Sequence, residues 1–364
     1  MKTLKLRLST LAGCLIVALT AGCSGSPPVG ESQPAIPGPN ALPPSLAKPL
    51  SSPLNLYVAN YGGNTVTVYA PGTSSPLLTI SAGLNEPDSL TFDTHKNLYV
   101  ANNNNNTIRE YKNGETTIRR TIRTDVSYPH SVTFNATDDQ LYVSNSSVSD
   151  LAGWVSVYTD RGAFIRNITS GVDYPGAIAL DSSGNVYVAN QSGNSVTVYS
   201  PGANTLLRTI TAGCFLPTAL AFDSSGNLYV ANFGAYAGTV TVYAPGSTTL
   251  SRTISSGISG PYALAFGPSG YLNVANEQGG ASYYGSITQY APGSGSVART
   301  ITSGIDEPQS LAFGSYGYLN VGNGLSMGSG SLNGAITEYA PGSGSVARTI
   351  TDGINDPAYI TFGP

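Results

Sequence analysis

Charged residues are scarce in this chain of 364 residues. Asp, Glu, Lys and Arg make up only 10% of it, and there are two histidines, three cysteines, two methionines and one tryptophan. Average soluble proteins carry about 25% charged residues, and helices use Glu, Lys, Leu and Ala on their solvent faces. The low charge therefore argues against a helical protein. The 43 glycines and 23 tyrosines favour short strands joined by tight turns instead.

Cysteine is too rare to form a disulfide framework. Cys14 and Cys23 both precede the main body of the sequence, in which Cys214 is alone. In the stretch TAGCFLP we expect Cys214 to be a small buried apolar residue rather than a nucleophile.

The first residues have the pattern of a processing signal. Lys2, Lys5 and Arg7 are followed by the apolar stretch Leu8–Ala21, which is short for a membrane span. It ends in LTAGC, which resembles the bacterial lipobox, so we predict a lipoprotein signal peptide over residues 1–22 and lipidation of Cys23. The earlier LAGC, ending at Cys14, leaves almost no apolar stretch after Arg7. The alternative is an ordinary secretory signal.

Residues 23–54 are rich in Pro and Ser and have no residues to build a core, so we expect an extended tether. Removing residues 1–22 takes away three of 16 basic residues and none of 20 acidic ones, which leaves a net charge of −7. This charge argues against nucleic-acid binding and against membrane contact other than through a lipid anchor. We expect a cell-envelope location. In a Gram-negative source, Ser24 after the cysteine would indicate the outer membrane or cell surface.

Residues 55–364 consist of one repeated module. NLYVAN at Asn55 recurs, in this or a related form, with spacings of 42, 43, 45, 42, 44 and 47 residues. Thirteen residues, YAPGSGSVARTIT, occur identically at Tyr290–Thr302 and Tyr339–Thr351. Periods of this length are typical of β-propeller blades. We predict an all-β, seven-bladed β-propeller.

Each module supplies four strand-like runs, named A, B, C and D in sequence order. In the fourth blade they are AIALD, NVYVAN, SVTVY and LLRTI, separated by turn sequences such as DSSG, and a proline precedes every A run. The domain starts with a B run and ends with an A run. We therefore predict that Tyr359–Phe362 joins the three N-terminal strands in a composite blade and closes the ring without open edges.

The module resembles the NHL repeat of bacterial envelope propellers, best in LPTALAFDSSGNLYVAN at Leu216–Asn232. NHL-type modules commonly read YVAD where this chain has YVAN. Related propellers include senescence-marker-protein lactonases and virginiamycin B lyases, which use acidic or histidine residues with a divalent metal. The resemblance implies a propeller, with a metal-dependent lactonase or lyase as the alternative to a binding module. None of the relatives' catalytic residues can be placed here by position.

The residues suited to catalysis are few. His95 lies in a predicted A–B turn and His130 near a D–A loop, on opposite faces, and GLSMG at Gly324–Gly328 lacks a later histidine. We assign no catalytic residue and no cofactor. If Ca²⁺ or Mg²⁺ binds, we expect Glu307 and Asp356 as ligands, whereas the alternative is that the D–A carboxylates cap turn amides. These carboxylates are Glu86, Asp88, Asp173, Asp306, Glu307, Asp352 and Asp356.

The B–C loops differ most between modules, since those of blades 3, 5, 6 and 7 are longer than the others. These loops, together with the residues after the A-strand prolines, are our candidate ligand-binding site. We expect a protein, peptide or glycan ligand. One alternative is that the longer loops are tolerated sequence drift, with their aromatic side chains folded over the blades. Another is that the propeller packs into an envelope assembly by its rim. The candidates are Trp154, Phe233, Tyr236, Tyr283, Tyr284, Leu325 and Met327 near the loops, and Asp88, His130, Tyr262 and Gln309 after the prolines.

Overall fold

The computed structural model describes residues 53–147, 152–234, 238–278, 284–324 and 334–364. These residues form 28 strands and one 3₁₀ turn, Ser315–Gly317. No helix among them is long and apolar enough to cross a membrane. The strands are β1 (Asn55–Asn60), β2 (Thr65–Tyr69), β3 (Leu78–Ile80), β4 (Pro87–Phe92), β5 (Leu98–Asn102), β6 (Thr107–Tyr111), β7 (Ile118–Ile122), β8 (Pro129–Asn135), β9 (Gln140–Ser146), β10 (Gly153–Thr159), β11 (Phe164–Ile168), β12 (Pro175–Leu180), β13 (Val186–Asn190), β14 (Ser195–Tyr199), β15 (Leu206–Ile210), β16 (Pro217–Phe222), β17 (Leu228–Asn232), β18 (Thr239–Tyr243), β19 (Leu250–Ile254), β20 (Pro261–Phe266), β21 (Leu272–Asn276), β22 (Ser286–Tyr290), β23 (Val297–Ile301), β24 (Pro308–Phe313), β25 (Leu319–Asn323), β26 (Ala335–Tyr339), β27 (Val346–Ile350) and β28 (Pro357–Gly363).

The strands form seven antiparallel four-stranded sheets, which confirms the predicted seven-bladed propeller. Blade 1 has the order β28-β1-β2-β3, and blades 2 to 7 begin with β4, β8, β12, β16, β20 and β24. Each A strand contacts the A strands of both neighbouring blades, so the A strands form the inner ring. β28 pairs with β1 from Asn55↔Gly363 to Asn60↔Pro357, which confirms the predicted composite blade.

Blade 4 shows why these sequences form strands and turns. Val, Tyr and Ala fill β13 and β14, whose residues are buried because neighbouring blades cover both faces of the sheet. Gly184 closes the A–B turn with a φ of 77°, a conformation that glycine adopts without steric cost. Pro175 is the first residue of β12 and is followed by a bulge in its pairing with β13. Proline is tolerated there since the regular ladder begins after it.

The hydrophobic core is divided into clusters between adjacent blades. One cluster joins Val66 and Val68 of blade 1 to Leu90, Val100 and Tyr111 of blade 2. Cys214 packs in the cluster between blades 4 and 5, and burial raises the pKa of its thiol. It is therefore a buried apolar residue, as expected from the sequence. Since every blade buries both faces against its neighbours, the ring is stabilised as a whole.

A tyrosine at the end of each C strand links neighbouring blades. The hydroxyl of Tyr158 donates a hydrogen bond to the carbonyl oxygen of Thr124 in the preceding blade at 2.6 Å, and that of Tyr199 donates to Ser170 at 2.6 Å. Equivalent bonds occur at Tyr69, Tyr111, Tyr243, Tyr290 and Tyr339. All seven side chains are at most 1% exposed. These tyrosines are packing residues rather than ligand contacts.

The antiparallel order gives the propeller two distinct faces. The D–A and B–C loops share one face, which we call the mouth face, and the A–B and C–D turns share the other, which we call the turn face. Because β4 begins at Pro87 beside its D–A loop, the first residues of the A strands lie at the mouth face. The fold thus brings the D–A and B–C loops of all blades together around the inner ring.

Candidate functional site

The D–A loops at the mouth face are held by an asparagine at the end of each B strand. It is the last strand residue in six blades, and in blade 3 it is Asn145, which precedes the last residue of β9. Its Oδ1 accepts the backbone N–H of the loop residue two before the A-strand proline, at 3.0–3.2 Å in all seven blades. Its Nδ2 donates to a Thr or Ser hydroxyl on the C strand at 3.0–3.1 Å in six blades. In blade 2, where Arg109 replaces the threonine, the Nδ2 of Asn102 donates to backbone carbonyls.

These bonds explain why the module reads YVAN rather than YVAD. An amide donates and accepts hydrogen bonds, whereas an ionised carboxylate only accepts. An aspartate at this buried position would satisfy the loop N–H but leave the hydroxyl on the C strand without its donor. The asparagines are therefore structural residues that hold each D–A loop in position beside its blade.

The residue immediately before each A-strand proline has a φ between 40° and 57°. Six of the seven are not glycine, although this backbone region is rarely populated by other residues. In blades 2, 3 and 5 its N–H is accepted by the Oδ1 of the last residue of the preceding B–C loop, Asn64, Asn106 or Asn194. The seven residues are Glu86, Tyr128, Tyr174, Leu216, Gly260, Glu307 and Asp356. Such strain persists only where surrounding bonds impose it, so the mouth has a defined backbone shape.

The residue after each proline differs in every blade. It is Asp88, His130, Gly176, Thr218, Tyr262, Gln309 and Ala358 in blades 2 to 7 and the composite blade. Asp88 and His130 have side-chain exposures of 23% and 21%, Tyr262 is half-buried, and Gln309 is 9% exposed. By contrast, the last core position of the same strands is Phe in six blades. The mouth end of the inner ring is therefore chemically varied while its other end is uniform.

Two of the predicted site residues are brought into direct contact. The Nδ1 of His130 lies 3.2 Å from Oδ2 of Asp88 in the neighbouring blade, and its Nε2 lies 3.1 Å from Oγ of Ser146. Ser146 ends β9 and was not among the residues singled out from the sequence. The nearest sequence signal is its position directly after the loop-holding Asn145, where each blade has a different residue.

Tyr174 completes this group of side chains. Its ring centroid is 5.9 Å from that of His130. Burial raises the pKa of Tyr174, the hydroxyl of Ser146 lowers it through a hydrogen bond, and the charge of Asp88 raises it. The phenol is therefore protonated at neutral pH, and its hydroxyl is hydrogen-bonded with Ser146. Residues of blades 2, 3 and 4 thus meet at one point of the mouth.

The described aromatic candidates lie on the mouth face but are partly packed. The indole N–H of Trp154 donates to the carbonyl oxygen of Asp125 at 3.2 Å and to Oγ of Ser156 at 2.9 Å. Phe233 and Tyr284 are half-buried, and the Tyr284 carbonyl accepts the N–H of Glu307 at 2.8 Å. Tyr236, Tyr283, Leu325, Met327 and Cys23 lie outside the described residues, as do residues 1–52.

The two carboxylates considered as metal ligands precede the prolines of adjacent A strands. The backbone carbonyl of Glu307 accepts the N–H of Gly324, and that of Asp356 accepts the N–H of Tyr61. Within the described ranges, no three His, Cys, Asp or Glu side chains form a group that could hold a metal ion. His95 lies exposed in the β4–β5 turn, on the face opposite His130.

The turn face carries clefts between neighbouring blades. One of about 820 Å³ between blades 5 and 6 is lined by Asp223, Arg252, Ser269 and Pro292. Another of about 600 Å³ lies between blades 7 and 1, beside Arg348. Nη2 of Arg252 donates to the Tyr229 hydroxyl at 3.1 Å, and Nη1 donates to the carbonyl of Gly293 in the next blade. The two clefts lie at equivalent places between blades, and their arginines bond to the neighbouring blade, which gives them a structural role. We therefore place the candidate site at the mouth face.

No family model matches the sequence, and no curated protein matches it. Among solved structures, the chain is similar to a functionally unknown protein from Desulfotomaculum acetoxidans DSM 771, with a TM-score of 0.67 and 15% identity over 86% of this chain and 99% of that one. It is also similar to the computationally designed Ika8 protein, with a TM-score of 0.61 and 15% identity over 86% of this chain and 91% of that one. At this identity the likeness shows the fold alone, a β-propeller.

Proposed function

We propose that residues 55–364 act as a binding or scaffold module whose ligand, a peptide or glycan segment or a partner protein, contacts the mouth face. The observation that carries this proposal is the ring of residues after the A-strand prolines. In a chain made of closely similar copies, these positions have seven different residues while the Phe positions of the same strands are repeated. Chemical variety at one end of a uniform ring is what an asymmetric ligand requires.

The side chains at the mouth suit a polar ligand with apolar faces. Asp88, His130, Tyr262 and Gln309 supply hydrogen-bond donors and acceptors, and the half-buried Phe233 offers an aromatic surface. Aromatic side chains combine large contact area with little loss of conformational entropy, which favours them at binding sites. The backbone there is held by the asparagine bonds, so little ordering is needed when a ligand binds.

A same-blade comparison tests the proposal. The purified domain is screened against a glycan array and a random-peptide display library, and selected ligands are measured with Tyr262→Ala and Tyr271→Ala. Tyr262 lies at the mouth of blade 6, and Tyr271 lies in the A–B turn of the same blade, 40% exposed. We expect Tyr262→Ala to weaken binding about tenfold or more and Tyr271→Ala to leave it unchanged. Equal affinities for both variants would overturn the mouth as the binding face.

The same preparation tests the alternative of a metal-dependent lactonase or lyase. Elemental analysis is made on the wild type and on Glu307→Gln and Asp356→Asn. A stoichiometric divalent ion that is lost in either variant would favour the enzyme over the binding module.

We also propose that the domain is carried at the cell envelope by a lipid on Cys23, with residues 1–22 removed and residues 23–54 as the tether. The support is the N-terminal sequence, in which basic residues are followed by an apolar stretch and then by the small residues and the cysteine of LTAGC. Cys23→Ser should release the protein from the membrane fraction, and Cys14→Ser should not. The proposal would be contradicted if Cys23→Ser stayed in the membrane fraction and its molecular mass did not fall by the mass of a lipid.

A further inference from the structure

We propose that Asp88, His130 and Ser146 form a hydrolytic triad at the mouth, in which Ser146 Oγ attacks small carboxylic esters. This activity goes beyond ligand binding and does not depend on it. The three residues come from β4, β8 and β9 and meet where blades 2 and 3 adjoin. The distances are 3.2 Å from Asp88 Oδ2 to His130 Nδ1 and 3.1 Å from His130 Nε2 to Ser146 Oγ. Both lie within the reach expected of a nucleophile, its base and the group that orients the base.

The carboxylate of Asp88 determines how the protons are arranged. An ionised carboxylate only accepts hydrogen bonds, so His130 Nδ1 carries the proton and donates it to Asp88. In the neutral ring Nε2 is then the acceptor, and the hydroxyl of Ser146 donates to it. This is the tautomer in which a histidine can remove the proton of a serine.

The backbone holds Ser146 in place. Its N–H donates to the carbonyl of Ser127 at 3.1 Å, and the hydroxyl of Ser127 donates to the carbonyl of Ser146 at 3.1 Å. Ser146 is only 3% exposed, whereas the side chains of His130 and Asp88 are exposed by about a fifth. Only a small acyl group can therefore reach Oγ.

The fold itself does not need these three residues. The positions equivalent to His130 and Ser146 are Gly176 and Gln191 in blade 4, Thr218 and Phe233 in blade 5, and Gln309 and Gly324 in blade 7. Those blades have the same strand order and the same asparagine bonds. Blade closure therefore does not explain the group formed by Asp88, His130 and Ser146.

The reaction proceeds by acyl transfer to Ser146. Oγ bonds to the ester carbonyl carbon as its proton moves to His130 Nε2, and the Tyr174 hydroxyl donates to the oxyanion of the tetrahedral intermediate. Collapse breaks the bond to the alcohol oxygen, which takes the proton from His130. A water molecule then attacks the acyl-enzyme with His130 as base, which releases the carboxylic acid and restores Ser146.

The test is a covalent probe with mass spectrometry. The purified domain is treated with a methyl fluorophosphonate, and p-nitrophenyl acetate hydrolysis is followed in parallel, without peptide or glycan. We expect one phosphonyl adduct per chain, on Ser146, and ester hydrolysis lowered by roughly 10²–10⁴-fold in Ser146→Ala. His130→Ala should be similarly slow and should regain activity with added imidazole, beyond the imidazole rate measured with Ser146→Ala.

Asp88 is a positioning residue, so Asp88→Asn should lower kcat while KM stays within about twofold. The matched controls are Ser192→Ala, a serine in a B–C loop of the same face, and Tyr271→Ala on the turn face, which should hydrolyse at the wild-type rate. An adduct on another residue, or none on folded wild-type protein, overturns the triad whatever the variants do. Peptide or glycan binding that persists in Ser146→Ala while labelling is lost separates this activity from the proposed binding.

Discussion

At the residue scale, one asparagine per blade joins the mouth loop to the strand beside it. Asn190 is fully buried, accepts the N–H of Asp173 at 3.2 Å and donates to the hydroxyl of Thr197 at 3.0 Å. Buried polar groups without partners cost more free energy than the bond itself contributes, because water no longer replaces the lost partner. Both the Oδ1 acceptor and the Nδ2 donor of this amide are therefore needed.

Two substitutions in blade 4 test this role. Asn190→Asp keeps the acceptor but removes the donor and buries a carboxyl group, so we expect the free energy of unfolding to fall by about 1–3 kcal/mol. Asn194→Asp is the control, because Asn194 serves the neighbouring loop mainly as an acceptor, for the N–H of Leu216 at 2.8 Å, and aspartate can replace it. Urea denaturation measures both. Equal losses of stability would contradict the explanation of the YVAN sequence.

The sequence allowed part of the candidate site to be predicted. Because a proline precedes every A run, Asp88 and His130 could be placed at the start of adjacent A strands. Their contact depends on how two blades are offset, which no local sequence pattern encodes. Ser146 was missed because serine search patterns assume a strand–turn–helix, and here the serine ends a β-strand beside a histidine of its own blade. The donor role of the asparagines likewise needed the position of the C strand.

At the element scale, the β28 strand closes the ring. The repeat period, the turn sequences and the order of the runs were sufficient to predict its partner, since an A strand was missing at one end of the domain and present at the other. The bulge after each proline was not predicted, because it arises from pairing between strands. Phe362 packs in the cluster between blades 7 and 1, so β28 contributes to the core as well as to the sheet.

Removal of this strand should disrupt the domain. Deleting Ala358–Pro364 exposes the edge of β1 and removes Ile360 from its cluster, so we expect unfolding or aggregation. Thermal unfolding and size-exclusion chromatography measure the result, and Ser192→Ala is again a suitable reference. A monomeric truncated domain with unchanged thermal stability would refute the closure by β28.

At the scale of the whole molecule, the seven C-strand tyrosines form a ring of hydrogen bonds between blades. Burial raises the pKa of all seven hydroxyls, to about 12 for Tyr111 and Tyr158. A hydroxyl that must stay protonated in the folded state favours folding at any pH below its ordinary pKa of about 10. The protein is thus sensitive to alkaline pH at every blade junction.

We expect the contribution of these tyrosines to stability to be constant below about pH 10 and to fall as the pH rises towards 12, because each tyrosine is held protonated above its unfolded pKa. Absorbance at 295 nm follows tyrosine ionisation while circular dichroism follows the fold. The part of the absorbance change that comes from the seven buried tyrosines should coincide with the loss of the circular dichroism signal. Tyr199→Phe should remove one junction bond and lower stability by about 1 kcal/mol at neutral pH. Ionisation of the buried tyrosines near pH 10 with the fold intact would contradict the ring of bonds.

The pairing of β1 with β28 also determines when the newly made chain can complete its first blade. Asn55 is partnered with Gly363, so the first blade waits for the last residues to be synthesised. At about 5–20 residues per second this delay is roughly 15–60 s. Throughout that interval the N-terminal strands have an unoccupied sheet edge, which other chains could pair with. The rate of synthesis, as well as the strength of the contacts, then affects how many chains complete the first blade.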